Sequence, residues 1–371
     1  MRTRIQSKKL RNSLIILALL SLLLVILSAC AGAPATEAPA APVEPAAPEK
    51  PTQPVEPSEG LPVTYGQDSR IEVFQHTDAK LQEMAASVAI FVHKDQVKIS
   101  RNSVTLQGYT LNEMSKMGWL VNGANVPMCT GELFTSQTAP GFCTGFLVRE
   151  DILVTAGHCL EKTACADTSI VFGFRMESDN SMAALTRDNV FKCAEVIAQV
   201  TPRQDNQYLD YAIIKLDRPT GRAGLDYAAA DHLEAQDYVA VLGYPSGLPM
   251  KIASDASVIS NRASDPFFVA NLDTFGSNSG SPIINTDSYQ VEGILVRGMT
   301  DYVLSDDQSC IRVNRCLEVG GTNCAGENAT KMAMLAELIP ESTAATPDEL
   351  SCFPTLLFAF AILALMRLKP T

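Results

Sequence analysis

The chain has 371 residues, 46% of them hydrophobic, enough for one large domain or two small ones with a real core. Its formal charge is −12, and the basic residues Arg2, Arg4, Lys8, Lys9 and Arg11 all fall in the first segment, so the remainder is more acidic still. Such a balance suits solubility and excludes a surface that grips nucleic acid or anionic headgroups.

In chain order, the basic cluster precedes an apolar run from Leu14 to Leu27. That run is short for a spanning helix of roughly 20 residues, and its charge is one-sided, so residues 1–29 read as an export signal. It ends in Leu27-Ser28-Ala29-Cys30, which resembles a bacterial lipobox. The resemblance implies lipidation of Cys30 and a mature chain anchored to the membrane, outside the cytoplasm, in a bacterial cell envelope. Residues 30–62 are rich in Pro, Ala and Glu and have almost no large apolar side chain. Such a segment cannot offset its ordering entropy and reads as a disordered tether. At roughly 3 Å per residue it would reach about 90 Å.

Residues 63–340 read as one mostly β domain. Short Val-, Ile- and Phe-rich runs recur (SVAIFVH, CTGFLV, DILVTA, SIVFGF, DYAIIKL, DYVAVLGY, SPIIN, VEGILVR), separated by Gly, Asn, Asp and Pro. There is no internal repeat. Many short strands with turn signals point to antiparallel barrels or sandwiches. Helical signals are sparse: Lys80 to Ala86, and Thr330 to Leu338 as a short C-terminal helix. Export makes cysteine pairing the expectation. Of ten cysteines, Cys30 lies at the lipobox and Cys352 in the tail, which leaves an even eight, compatible with 105 pairings.

Three strings carry chemistry. His158, one of four histidines, ends the strand-like run in Val154-Thr155-Ala156-Gly157-His158-Cys159. Asp210 opens DYAIIKL, where alternating Ala212, Ile214 and Leu216 would set it against a core. Asp205 and Asp217 are local competitors, the first without an apolar follow-on and the second at a turn. Ser279 lies in Gly276-Ser277-Asn278-Ser279-Gly280-Ser281-Pro282, which runs directly into Ile283-Ile284. A serine hydroxyl is a weak nucleophile that needs an adjacent base, and an imidazole needs a carboxylate to hold its tautomer.

The T-A-G-H-C string and the G-S-N-S-G-S-P string, with the order His, Asp, Ser, resemble the chymotrypsin-fold serine peptidases, and the second string is similar to their bacterial V8-like, glutamyl-endopeptidase branch. The resemblance implies an all-β fold of two six-stranded antiparallel barrels. His158, Asp210 and Ser279 would be the catalytic triad, the N–H groups of Ser277 and Ser279 the oxyanion hole, and Cys143–Cys159 the disulfide bracing the histidine loop. Substrates would be proteins or peptides, and no metal or organic cofactor is implied. Where Ser277 stands the family usually has glycine. Where Asn278 stands, trypsin-like enzymes have the aspartate that pairs with a new N-terminal amine after zymogen cleavage, so no such switch is expected here.

For substrate binding, Asp273 occupies the offset that in trypsin-like enzymes puts a carboxylate at the floor of the specificity pocket. Leu295 stands where glutamate-selective relatives carry histidine, and Arg297 on the same run is a candidate partner for Asp273. These residues imply a basic P1 preference. Residues 341–371 form a linker and a tail with an apolar run, Leu356 to Met366, followed by Arg367 and Lys369. The tail resembles a C-terminal sorting segment, a second possible membrane contact. Two rival readings are a protease-shaped binding lipoprotein without activity, for which Ser277 is the mark, and an esterase on the same scaffold.

Overall fold

The computed structural model describes residues 64–202, 208–316 and 325–341. The export signal with Cys30, the tether and the C-terminal tail lie outside the described residues, as does Asp205.

Barrel one is built from β1 (Val88–His93), β2 (Gly141–Leu147), β3 (Ile152–Thr155), β4 (Thr168–Phe172), β5 (Val190–Val200) and β6 (Tyr211–Leu216). They close in the order β4-β5-β6-β3-β2-β1, all antiparallel. Barrel two takes β7 (Tyr238–Gly243), β8 (Lys251–Asn261), β9 (Phe267–Ala270), β10 (Pro282–Asn285), β11 (Val291–Arg297) and β12 (Glu327–Lys331). Its ring runs β7-β10-β11-β12-β9-β8 and closes through β7 on β8. This is the chymotrypsin-like architecture of two closed six-stranded barrels, and it answers the expectation from sequence.

Strands buried on both faces build the first interior: β3 and β4 are buried at every position and β1 at all but His93. Ile90, Phe146, Leu153, Ile170, Phe172 and Ile214 are fully buried in the first barrel. Val239, Ile283 and Phe268 belong to a separate buried cluster inside the second. The helix α1 (Ala79–Met84) begins where the sequence places it, because the Asp78 carboxylate accepts from the N–H groups of Lys80 and Leu81. A second helix, α2 (Leu111–Lys116), opens an excursion between β1 and β2, with Thr110 and Glu113 forming a reciprocal cap. The excursion is tied to the second barrel by a Cys129–Cys310 disulfide.

The C-terminal helix differs from expectation. Thr330 and Lys331 belong to β12, paired with β9 and β11, and among the described residues two 3-10 turns follow, Met332–Met334 and Ala336–Leu338. Buried Met332 and Leu335 dock this stretch on the core, so tertiary packing overrides the local helical preference.

Candidate active site

The seam between the barrels gathers the three motifs. β3 delivers its end to the seam, and the chain turns at Gly157, where a Cβ would come within 2.0 Å of the Val200 carbonyl. No other residue fits that approach. His158 follows at once, with its side chain 21% exposed. Cys143 on β2 is joined to Cys159, as the resemblance implied. Cys165–Cys193 forms a further bridge, and Cys316 is also disulfide-bonded.

Asp210 sits just before β6 and is 1% exposed. Its Oδ2 lies 2.7 Å from His158 Nδ1, and its Oδ1 accepts from the His158 backbone N–H at 3.0 Å. A carboxylate can only accept, so Nδ1 donates, and Nε2 is the ring nitrogen that Asp210 does not hold. Thr330 Oγ1 on β12 donates to the Asp210 backbone carbonyl at 3.1 Å, tying that residue's backbone to the second barrel. Asp217, the local competitor, instead accepts from the N–H of Lys192.

Ser279 lies on the turn entering β10. Gly280 has φ +90°, and a Cβ there would meet the Thr144 carbonyl at 2.0 Å. The turn is therefore pressed against β2 and β3. Sequence reading missed Thr144, which fastens it: its N–H donates to the Ser279 carbonyl and its Oγ1 to the Ser277 carbonyl, both at 2.9 Å. Thr155, three residues before His158, donates from Oγ1 to the Thr144 carbonyl at 2.6 Å. The Cys159 sulfur lies 3.7 Å from the Ser279 carbonyl oxygen. One strand of barrel one thus registers the serine turn against the histidine turn. No string around Thr144 signals this, because Ser277 and Ser279 are more than 130 residues away.

Ser277 adopts φ +69°, the left-handed region that glycine enters most easily. The serine is accommodated, with its Oγ donating to the Gly141 carbonyl at 3.2 Å. Gly276, Asn278, Gly280 and Ser281 donate their N–H groups to acceptors, whereas those of Ser277 and Ser279 have no backbone acceptor among the described residues. Two such alternate donors on one turn are the arrangement that stabilises an oxyanion.

Beside Ser279 opens a cleft of about 330 Å³ whose lining includes Leu295, Arg297, Gly298, Asp301 and Glu327. Leu295 and Arg297, two of the expected substrate-binding residues, line this cleft. Asp273 does not line it, which corrects the expectation of a carboxylate at the pocket floor. It is 3% exposed, and its oxygens accept from the N–H of Tyr65 at 2.8 Å and from the N–H and Oγ of Ser69, each at 2.7 Å. Nor does Arg297 pair with it. The guanidinium donates to the Tyr208 carbonyl at 2.9 Å and lies over the Tyr208 ring.

The acids at the cleft are Asp301 and Glu327, which sequence reading did not single out. Asp301 accepts from the N–H of Gly276 at 2.7 Å, and burial pushes its carboxyl up to about 7. Glu327 accepts from Thr274 Oγ1 at 3.0 Å. Burial, reinforced by the nearby Asp301, pushes it well above the usual carboxylate range. A larger groove of about 1110 Å³, lined partly by Asp151, Lys215 and Tyr227, contains no triad member. Among the described residues, Cys143, His158 and Cys159 are the grouping with metal-ligand side chains, but their sulfurs are spent on each other.

Residues 143–294 match the family model of the trypsin-like peptidase domain. No curated protein matches the chain. Among solved structures, a Glu endopeptidase is similar at 16% identity and a TM-score of 0.42, over 75% of this chain and 97% of that one. The VesB protease of Vibrio cholerae is similar at 14% identity and a TM-score of 0.43, over 72% of this chain and 67% of that one.

Proposed function

We propose that the chain is an exported serine endopeptidase that cleaves peptide bonds through an acyl-enzyme. The observation that carries the reading is the buried Asp210 carboxylate on His158 Nδ1, with the Ser279 turn fastened to the same seam through Thr144. The match of residues 143–294 to the peptidase domain supports a serine-type hydrolase.

In this reading Ser279 Oγ attacks the substrate carbonyl carbon as its proton passes to His158 Nε2. The negative charge that develops on the carbonyl oxygen is met by the N–H groups of Ser277 and Ser279, and Asp210 stabilises the imidazolium. His158 then gives the proton to the departing amine nitrogen, the C–N bond breaks, and an ester to Ser279 remains. Water, deprotonated by His158, attacks that ester and releases the acid. The steps need no metal or cofactor.

The proposed side-chain preference is basic, through Glu327 and Asp301 rather than Asp273. Burial disfavours the charged form of both carboxyls, and a guanidinium or ammonium entering beside them favours it. The disulfides suit an oxidising compartment, and Cys30 would anchor the protein in the envelope. The reading of an inactive binding lipoprotein draws nothing from Ser277, which already holds the left-handed conformation.

A fluorophosphonate probe tests the proposal. Stoichiometric labelling of the full chain that is lost in Ser279→Ala, with peptide hydrolysis lost in parallel, is the expected result. A folded protein that never labels would sink it. Turnover of esters without peptides would favour the esterase.

A further inference from the structure

Asp273 and Phe275 both belong to the loop that ends at Ser279, and both are held by one segment from the far N-terminal end of the domain. Thr64 and Tyr65 pair with Arg315 and Cys316. The N–H groups of Tyr65 and Ser69, with Ser69 Oγ, hold the two Asp273 oxygens. The Tyr65 hydroxyl accepts from the N–H of Gly326 at 2.8 Å. Ile71 and Glu72 then pair with Ile252 and Lys251 on β8. The segment is thus fixed at one end to the chain between β11 and β12 and at the other to β8, and its middle crosses the loop.

Arg70 is the inner contact. Its side chain is 2% exposed and bonded twice to Asp68, from Nε at 2.9 Å and from Nη2 at 2.7 Å. The guanidinium carbon lies 3.6 Å from the centroid of the Phe275 ring. A desolvated cation over an aromatic face is one of the stronger contacts of its kind. Arg70, Asp273 and Asn278 line one small void, the last of them directly preceding Ser279. Charge neutralisation of Arg70 comes from Asp68 within the same segment, so Asn278 is not required to carry any.

We propose that residues 64–72 are an internal strap that holds the nucleophile loop, residues 273–279, in its working conformation, with Asp273 and Arg70 as positioning residues. The strap rests on the reading of Ser279 as the nucleophile. It is part of the continuous chain, so a cut within it lowers activity, the reverse of activation by a newly freed amine. The strap begins directly after the tether, which gives this end of the domain a part in setting the active loop.

The test uses the full chain with a specific protease site inserted between the exposed Gly66 and Gln67. The protein folds intact and is cut afterwards. Cutting is expected to lower kcat and the fluorophosphonate labelling rate tenfold to a hundredfold, with KM within threefold. It is also expected to raise hydrogen exchange at least tenfold at Asn278 and Ser281, whose N–H groups are bonded within the loop, and at Gly280, whose N–H is bonded to the Leu295 carbonyl on β11. Barrel one should keep its protection. Asp68→Asn combined with Arg70→Met, and separately Asp273→Asn, should reproduce the split between kcat and KM in folded protein.

Unchanged exchange after cutting overturns the strap, as does unchanged or increased turnover. If the uncut protein neither labels nor turns over, the peptidase reading fails, and hydrogen exchange still decides the strap.

Discussion

Ser277 is the residue at which this chain departs most visibly from the peptidases it resembles, and its substitution yields a sharp expectation. Three terms decide the stability of Ser277→Gly. Releasing a side chain from φ +69° recovers about 1 kcal/mol. Losing the bond from Oγ to the Gly141 carbonyl costs about 1 kcal/mol. The added freedom of glycine in the unfolded chain costs about 0.5–1 kcal/mol. The sum is a destabilisation of about 1 kcal/mol or less. The N–H direction is set by the backbone, which glycine keeps, so kcat/KM should stay within about threefold of the parent. Ser277→Ala keeps the strain and loses the bond, so it should cost about 1 kcal/mol with turnover again preserved. Ser277→Pro is the contrast. It fixes φ near −65° and removes the donor, and losing one oxyanion donor costs roughly 3–4 kcal/mol, or 100- to 1000-fold in kcat. Thermal melts and steady-state kinetics on one fluorogenic peptide read all three. A tenfold rise in kcat/KM for Ser277→Gly would refute the reasoning, since the side chain would then be obstructing the site. More than a tenth of parental kcat in Ser277→Pro would remove Ser277 from the oxyanion hole.

Further outcomes follow from the same geometry. Asp210→Asn keeps the side-chain volume but loses the acceptor that fixes the His158 tautomer, so kcat should fall about 10³- to 10⁴-fold with little change in KM; a loss under tenfold would remove Asp210 from the triad. Glu327→Gln should raise KM for substrates with Lys or Arg at P1 at least tenfold, measured on a P1-varied peptide series, while Asp273→Asn should lower kcat alike across the series; the opposite pattern would restore Asp273 to the pocket. Burial beside Asp231 and Asp237 pushes the Glu292 carboxyl up to about 7, so the folded state holds a proton that the unfolded chain releases, and stability falls as pH rises from about 4 through 7. Glu292→Gln removes that loss, on the order of 3 kcal/mol at most, and should raise Tm by about 5 °C at pH 8 and hardly at all at pH 4; equal shifts at both pH values would exclude titration as the cause.

The sequence showed barrel one more fully than barrel two, and burial explains why. Five strands of the first barrel are apolar runs, and only β5 escaped notice. It exposes Lys192 and Glu195 and carries two register shifts, which blur the period-two signal. In barrel two, β8, β9 and β12 escaped. β8 includes Lys251 and β12 includes Glu327 and Lys331, all buried against expectation for charged side chains, while the apolar β9 has only four residues. Lys251 is held by Glu72 and Lys331 by Asp231, partners that no local window contains. The strands around His158, Asp210 and Ser279 were readable because their pattern is local. The strands whose charges are neutralised from a distance were not.

The same distinction separates His158 from Asp273. His158, Asp210 and Ser279 each sit in a string whose neighbours determine the backbone: Gly157 admits the Val200 carbonyl, β6 starts at once after Asp210, and Gly280 admits Thr144. Counting residues within such a string therefore counts geometry. Asp273 was placed by an offset of six residues across a loop, and an offset fixes position only when the loop closes in the same way. Here the loop closes around Ser69 and Arg70, more than 200 residues earlier, and the carboxylate turns to three donors there instead of to the cleft. A buried carboxylate goes where its donors are, because leaving it unpaired costs more than any single contact contributes. Glu327 and Asp301 reach the cleft by the same rule, each held by a donor of the nucleophile loop, Thr274 and Gly276. Which acid lines the cleft is thus set by which donors the loop turns toward it, and Asp273, whose donors lie in residues 64–72, is turned elsewhere.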